Sequence, residues 1–234
     1  MSITIDSRDI EIVSFDMWLT IINTNTIFGS TRKEMIYKKI AAKNGHLNKT
    51  AFEKAFEAMK RETELASESS GHHIDLEARI NDLLRRLNLA SLPKEQLLEI
   101  EREQDKLARK YIPPLLSAKT PLLFRNIIES GRRIAIISNT GMLTSDHVRY
   151  YLNKHGLDKF ISFEVYSDET GYTKPSKHAY DKLLGLTNIK PQHIVHIGDN
   201  ENADFKGAVD CHFQSCLTQL TDEGVPLINN LLRL

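Results

Sequence analysis

Four stretches of this chain place chemically capable side chains at the ends of apolar runs. Ile10, Ile12, Val13 and Phe15 form a largely β-branched run that reads as a strand buried on both faces of a parallel sheet, and it stops on Asp16. Ligands of open α/β sheets bind at the carboxyl ends of the strands, so a carboxylate at that point is placed for chemistry; Asp is also an ordinary turn-former. Ile134-Ala135-Ile136-Ile137 runs into Ser138-Asn139, a strand ending on a hydroxyl. Gly171-Tyr172-Thr173-Lys174-Pro175 is a turn-rich loop carrying one lysine. Ile194-Val195-His196-Ile197 ends in Gly198-Asp199, with a further acid at Asp204.

In order and spacing, these stretches resemble the four motifs of the haloacid dehalogenase superfamily of phosphatases, dehalogenases and phosphotransferases. The specific features are the GDxxxxD pattern from Gly198 to Asp204, Lys174 directly before Pro175, and all four stretches in sequence from residue 10 to about 210. The resemblance implies that Asp16 is a nucleophile, whose attack on phosphorus would split one displacement into two through an aspartyl-phosphate. Lys174 would hold both nucleophile and phosphate, and Ser138, Asn139, Thr20 and Trp18 would bound the phosphate site. Asp16, Asp199 and Asp204 would supply the hard oxygen ligands that Mg²⁺ prefers. For Asp204 the alternatives are positioning Lys174 or complementing a helix dipole, and for Lys174 an ordinary loop lysine.

The departure lies in the first motif. Phosphatases of the superfamily usually read Asp-x-Asp-x-Thr, the second Asp protonating the leaving group. Here that position is Trp18, the following Gly is Leu19, and Thr20 is in place. Dehalogenases carry an aromatic there, because halide leaves without a proton, but they typically lack the acid after the glycine that Asp199 supplies. Phosphonatases use a cap lysine, for which Lys33, Lys38, Lys39, Lys43, Lys54 and Lys60 all offer themselves. The favoured expectation is a Mg²⁺-dependent hydrolase of a small phosphorylated metabolite. The alternatives are 2-haloacid hydrolysis through an Asp16 ester, and a phosphate-binding protein with little turnover.

These residues require a scaffold that brings strand ends together. Strands and helices alternate from Thr120 onward, with strands expected to Ser138, at Phe160–Tyr166, His193–Ile197 and His212–Leu217. That alternation specifies a doubly wound, parallel, Rossmann-like α/β sheet. Between the first two motifs the pattern is helical instead. Ile21–Thr26 reads as a turn and hairpin. Thr31-x-x-Glu34 and Thr50-x-x-Glu53 have capping-box spacing, Ser67–Gly71 reads as a break, Asp75 opens a third helix, and Pro93 starts a fourth that Pro113-Pro114 stops. The expected division is an α/β core from 1–22 and 116–234 with an all-helical cap from 23–115.

Composition excludes several other classes. Lysine plus arginine equals aspartate plus glutamate at 31 each, so no basic excess points to nucleic acid. No apolar run approaches the roughly 20 residues of a membrane span, and Met1–Ile10 has no hydrophobic signal core. Cys211 and Cys216, the only cysteines, read as buried thiols of a cytoplasmic protein, and the adjacent His72-His73 as a loop between cap helices.

Overall fold

The computed structural model describes residues 7–234; the expectation for the start of the chain falls mainly on residues 1–6, outside that range. Five parallel strands form one sheet in the order β3-β2-β1-β4-β5. They are β1 (Ile12–Phe15), β2 (Arg133–Ser138), β3 (Ile161–Tyr166), β4 (Ile194–Gly198) and β5 (Gln214–Leu217). The first strand in sequence is thus central, flanked by β2 and β4 with Phe15 registered against Ile136 and Ile197. Every residue of β1 is buried, as its continuous apolar run requires.

Alternate residues of the strands serve two cores. Val13, Phe15, Ile134, Ile136, Val195 and Ile197 face one side, packed with α5 (Thr120–Glu129), α6 (Ser145–Lys154) and α10 (Gly224–Leu232). Ile12, Ala135, Ile137 and Ile194 face the other, packed with α8 (Lys177–Thr187) and the short α9 (Gly207–Asp210). A single helical turn, α7 (Ser167–Thr170), follows β3. Cys211 and Cys216 are free buried thiols in these layers, burial pushing both up to about 11.

Between β1 and the core helix α5 stand four helices: α1 (Thr26–Ala41), α2 (Lys49–Ser70), α3 (Leu76–Arg86) and α4 (Lys94–Lys110). They enclose a separate apolar cluster in which Phe52, Phe56 and Met59 meet Ile36, Ile40, Ile80 and Leu83. Two starts differ from the sequence expectation. The first helix begins five residues before Thr31, because the Asn25 side chain accepts from the Phe28 N–H and Glu34 reaches Lys49 across to α2 instead of folding back. The second is capped by Asn48, which accepts from the Ala51 N–H, so Thr50 lies inside it. That helix also continues through Ser67 and ends at Gly71, which takes the left-handed conformation at φ 73° and lies so close to Ser176 that a Cβ would stand 2.8 Å from its Cβ.

The end of α2 docks on the lysine loop. Thr173 donates from its backbone N–H to the Gly71 carbonyl and from its hydroxyl to the Ser67 carbonyl, both at 2.9 Å. The His73 N–H donates to the Gly171 carbonyl, and the His73 ring meets the Ser167 hydroxyl at 3.0 Å. No described helix is long and apolar enough to cross a membrane.

The core stack is testable through Phe124, fully buried and stacked on Phe15 with ring centroids 5.0 Å apart. Phe124→Ala should cost about 3–5 kcal/mol in urea denaturation. A loss below about 1 kcal/mol would mean that this layer collapses around the cavity or is loosely packed.

Candidate active site

Chain direction alone brings the four motifs to one edge, since every strand is parallel and each motif follows a strand's carboxyl end. Asp16 follows β1, and its backbone N–H donates to the Ile197 carbonyl at 2.9 Å, which fixes its height above the sheet. Ser138 ends β2, and Asp199 follows β4. Lys174, 1% exposed, extends its ammonium between two carboxylates, 2.7 Å from Asp16 Oδ1 and 2.6 Å from Asp204 Oδ1. Carboxylate oxygens of Asp16, Asp199 and Asp204 all lie within 4.8 Å of one another.

Asp204 is the most constrained of the three. It lies in a π-helical turn (Glu201–Lys206), accepts from the Asn200 N–H at 3.0 Å and meets His196 Nε2 at 3.2 Å. Its carboxyl group passes where a side chain on Gly198 would stand, a Cβ there lying 2.2 Å from Asp204 Cγ. The glycine of the GDxxxxD pattern is thus required by close approach, not by backbone conformation.

Asn139 exchanges two hydrogen bonds with the Lys174 backbone: its Nδ2 donates to the Lys174 carbonyl at 3.0 Å, and its Oδ1 accepts from the Lys174 N–H at 2.8 Å. Its amide is therefore spent on holding the lysine loop. Thr20, fully buried, donates to Asp199 Oδ1 at 3.3 Å. Ser138 Oγ is buried without a partner among the described residues, an orphaned donor at the strand edge. Trp18 is half-buried and meets Tyr151 edge-on at 6.1 Å, forming an aromatic wall beside Asp16. Leu19 takes φ 59°, a left-handed conformation that suits the glycine found there in the family pattern far better than a leucine.

Sequence reasoning missed His196 and Ser14. They occupy registered positions on β4 and β1, both fully buried, and Ser14 Oγ meets His196 Nδ1 at 3.0 Å. Burial lowers the imidazole pKa, with Asp204 opposing, and a ring whose Nε2 donates to Asp204 leaves Nδ1 to accept from Ser14. The available signal was a polar residue interrupting each of two otherwise apolar strands. His72 and His73 join no cluster of metal-ligating side chains among the described residues. Lys33, Lys38 and Lys39 pair with Glu57, Glu34 and Glu99, and Lys43, Lys54 and Lys60 are exposed.

Electrostatically the cluster carries three carboxylates against one ammonium. Burial pushes the Asp16 carboxyl up to about 7, with Lys174 opposing and Asp204 and Asp199 adding to the rise. Burial acts on Asp204 in the same sense, but Lys174 and His196 outweigh it and hold that carboxyl below the usual range. Burial and then Asp204 raise Asp199. An excess of negative charge beside hard oxygen donors fits a divalent cation, and the orphaned Ser138 hydroxyl fits an added oxyanion.

The architecture is a doubly wound α/β sheet with a helical insertion after its first strand and clustered carboxylates at its strand ends. Residues 10–212 match the family model described as haloacid dehalogenase-like hydrolase, and the chain belongs to that family. An uncharacterised hydrolase of Schizosaccharomyces pombe is 32% identical over 124 residues, covering 50% of this chain and 51% of that protein. The match thus spans about half the length of that relative. The glyceraldehyde 3-phosphate phosphatase of Pyrococcus furiosus is 24% identical over 201 residues, 86% of this chain and 77% of its own. Among solved structures, the magnesium-bound hydrolase YfnB of Bacillus subtilis superposes with a TM-score of 0.67 at 16% identity, over 96% of this chain and 99% of its own. The 2-haloacid dehalogenase of Pseudomonas syringae gives 0.66 at 15%, over 96% and 98%. The fold is therefore common to a magnesium-bound hydrolase and a 2-haloacid dehalogenase.

The raised Asp16 carboxyl sets a pH dependence. A carboxyl with a folded pKa above its unfolded value contributes stability that is complete below about pH 4 and is lost as pH rises through about 7. Asp204, held low, has the opposite slope, confined to more acid solution. In chelator, the thermal stability of wild type relative to Asp16→Asn should therefore fall between about pH 4 and about pH 7 and level off above that. A flat or rising difference would show that Asp16 is ionised throughout.

Proposed function

We propose that the chain is a Mg²⁺-dependent phosphatase of small phosphorylated metabolites, working through an aspartyl-phosphate on Asp16. The observation that carries this reading is the convergence of Asp16, Asp199 and Asp204 around Lys174 at the strand edge. In this reading Asp16 attacks phosphorus from the β1 side. The Lys174 ammonium steadies both the attacking carboxylate and a phosphoryl oxygen, and the unpartnered Ser138 hydroxyl donates to another oxygen of the same group. Asp16, Asp199 and Asp204 would hold Mg²⁺, which when bound supplies charge neutralisation for the phosphoryl oxygens. Thr20 orients Asp199 through its hydroxyl, Asn139 holds Lys174 at the right height, and His196 keeps Asp204 ionised and aimed.

Two observations favour phosphate over halide. Asp199 adds a carboxylate to a site already rich in negative charge, which would repel a departing halide. The P. furiosus relative, matched over most of this chain, is named a phosphatase.

Chelation and Asp199→Ala should each abolish phosphate-ester hydrolysis, and Asp16→Asn should reduce it to background with the fold retained. Mg²⁺ should also raise the melting temperature of wild type more than that of Asp199→Ala. Full turnover in excess chelator would reject the phosphatase reading, and chloride release from a 2-haloacid without metal would replace it.

Trp18 generates a second expectation. Its indole has no acidic proton to give, so charge builds on the departing oxygen and the rate follows how well the leaving group bears it. Acyl and aryl phosphates should be hydrolysed far faster than alkyl phosphates, giving a steep plot of log kcat/KM against leaving-group pKa. Trp18→Asp with Leu19→Gly should flatten that plot by helping alkyl esters most. A shallow wild-type slope would mean that another acid serves the site.

A further inference from the structure

The cap holds two guanidinium groups that the hydrolytic reading leaves unused. Arg32 lies on α1 and makes no hydrogen bond to any described residue; its Nε is sealed from solvent with no acceptor. Its Cζ stands over the face of Phe28, 4.9 Å from the ring centroid. Neither Arg32 nor Arg79 has a carboxylate within salt-bridge distance among the described residues. Arg79, 2% exposed on α3, donates through Nε to the Ile74 carbonyl at 2.9 Å and through Nη1 to the Thr63 hydroxyl at 2.6 Å. Its Nη2 meets no described acceptor.

A desolvated charge without a partner is destabilising, and a second like charge adds to that cost. Arg32 and Arg79 sense each other, and burial with this repulsion brings Arg32 down to about 10, with Tyr151 and the exposed Glu64 opposing. Folding stability gives no reason to keep such a pair.

Their positions supply one. Thr63, which holds Arg79, lies one helical turn before Ser67, and Ser67 seats on Thr173 beside Lys174. Arg32 stands over Phe28, and Phe28 shares a packed cluster with Tyr151, whose ring meets Trp18, two residues from Asp16. One arginine is thus tied to the lysine-loop flank of the cleft and the other to its Trp18 flank. On the core side three carboxylates and Lys174 serve the metal and the phosphate; on the cap side two cations wait for an anion.

We propose that Arg32, backed by Arg79, receives a second oxyanion on the substrate, a carboxylate remote from the phosphate, so that the preferred substrates are small phosphorylated carboxylic acids. A guanidinium fork matches a carboxylate in two parallel hydrogen bonds, which an ammonium does not. The inference rests on the phosphatase reading above and narrows its substrate class.

The test compares matched pairs: 2-phosphoglycolate with 2-hydroxyethyl phosphate, and 3-phosphoglycerate with glycerol 3-phosphate, alongside propane-1,3-diol bisphosphate. Wild type should favour each acid over its alcohol by about tenfold or more in kcat/KM. Arg32→Met should bring that ratio close to one, and Arg32→Lys should leave it between. The same compounds titrated calorimetrically into Asp16→Asn with Mg²⁺ read the preference without turnover. Arg32→Met should also raise the melting temperature of the ligand-free protein, because it removes an unpaired buried charge. An unchanged acid-to-alcohol ratio in Arg32→Met, or a lowered melting temperature, would overturn the proposal. A bisphosphate preferred over both acids would overturn the choice of carboxylate. If no ester is hydrolysed yet acids still bind selectively through Arg32, the subsite stands and the phosphatase reading falls.

Discussion

The Lys174 ammonium, buried between Asp16 and Asp204, is the interaction on which the rest of the site depends. Taking an ammonium and two carboxylates out of water is expensive, and their mutual attraction offsets the cost only with close geometry and every remaining lone pair satisfied. The surroundings meet that condition piece by piece. Asn139 grips the Lys174 backbone at both its N–H and its carbonyl. His196 shares Asp204 Oδ1 with the ammonium, the Asn200 N–H serves Oδ2, and Ser14 serves His196 in turn. Gly198 leaves the room in which Asp204 lies. What stays uncompensated is one carboxylate charge beyond the near-balanced pair and another on Asp199, which is why the cluster invites a cation.

The same lysine loop couples the core to the cap. Thr173, adjacent to Lys174, is held by the Ser67 and Gly71 carbonyls at the end of α2. Any movement of α2 against the core therefore acts on the segment that sets the height of the ammonium. A second attachment lies at α4, where Gln104 donates to the Met142 carbonyl and Ala108 enters the core cluster. The helical insertion thus touches the core at the loops after β2 and β3 and along α6, where the Tyr151 hydroxyl donates to the Ala108 carbonyl.

The first motif is where the molecule departs from the phosphatase pattern. Trp18 replaces an acid by an aromatic wall continuous with Tyr151, and Leu19 accepts a left-handed backbone that a glycine would adopt without strain. The turn geometry is retained although its usual residue is not. In the proposed reaction this moves the burden of charge onto the leaving group, and the cap arginines move part of the recognition away from the phosphate.

Local patterns in the chain determined much of this. A short, β-branched apolar run bounded by turn-forming residues reads as a two-sided buried strand, so β1, β2 and β4 and their terminal Asp16, Ser138 and Asp199 were legible from residue types and lengths. The stripe of Phe52, Phe56, Met59 and Thr63 announced the buried face of α2 by its spacing. Helix starts were less legible. Capping-box spacing at Thr31 and Thr50 lost to Asn25 and Asn48, because a cap is decided by which side chain reaches the free N–H groups, and Glu34 found Lys49 on a neighbouring helix. Tertiary structure alone decided what crosses between elements. His196 met Ser14 only through strand register, Asn139 proved to serve the lysine loop, and the unpaired state of Arg32 and Arg79 emerged only when four helices had closed around them. Such pairings depend on distances between residues far apart in sequence, and no local spacing encodes those distances.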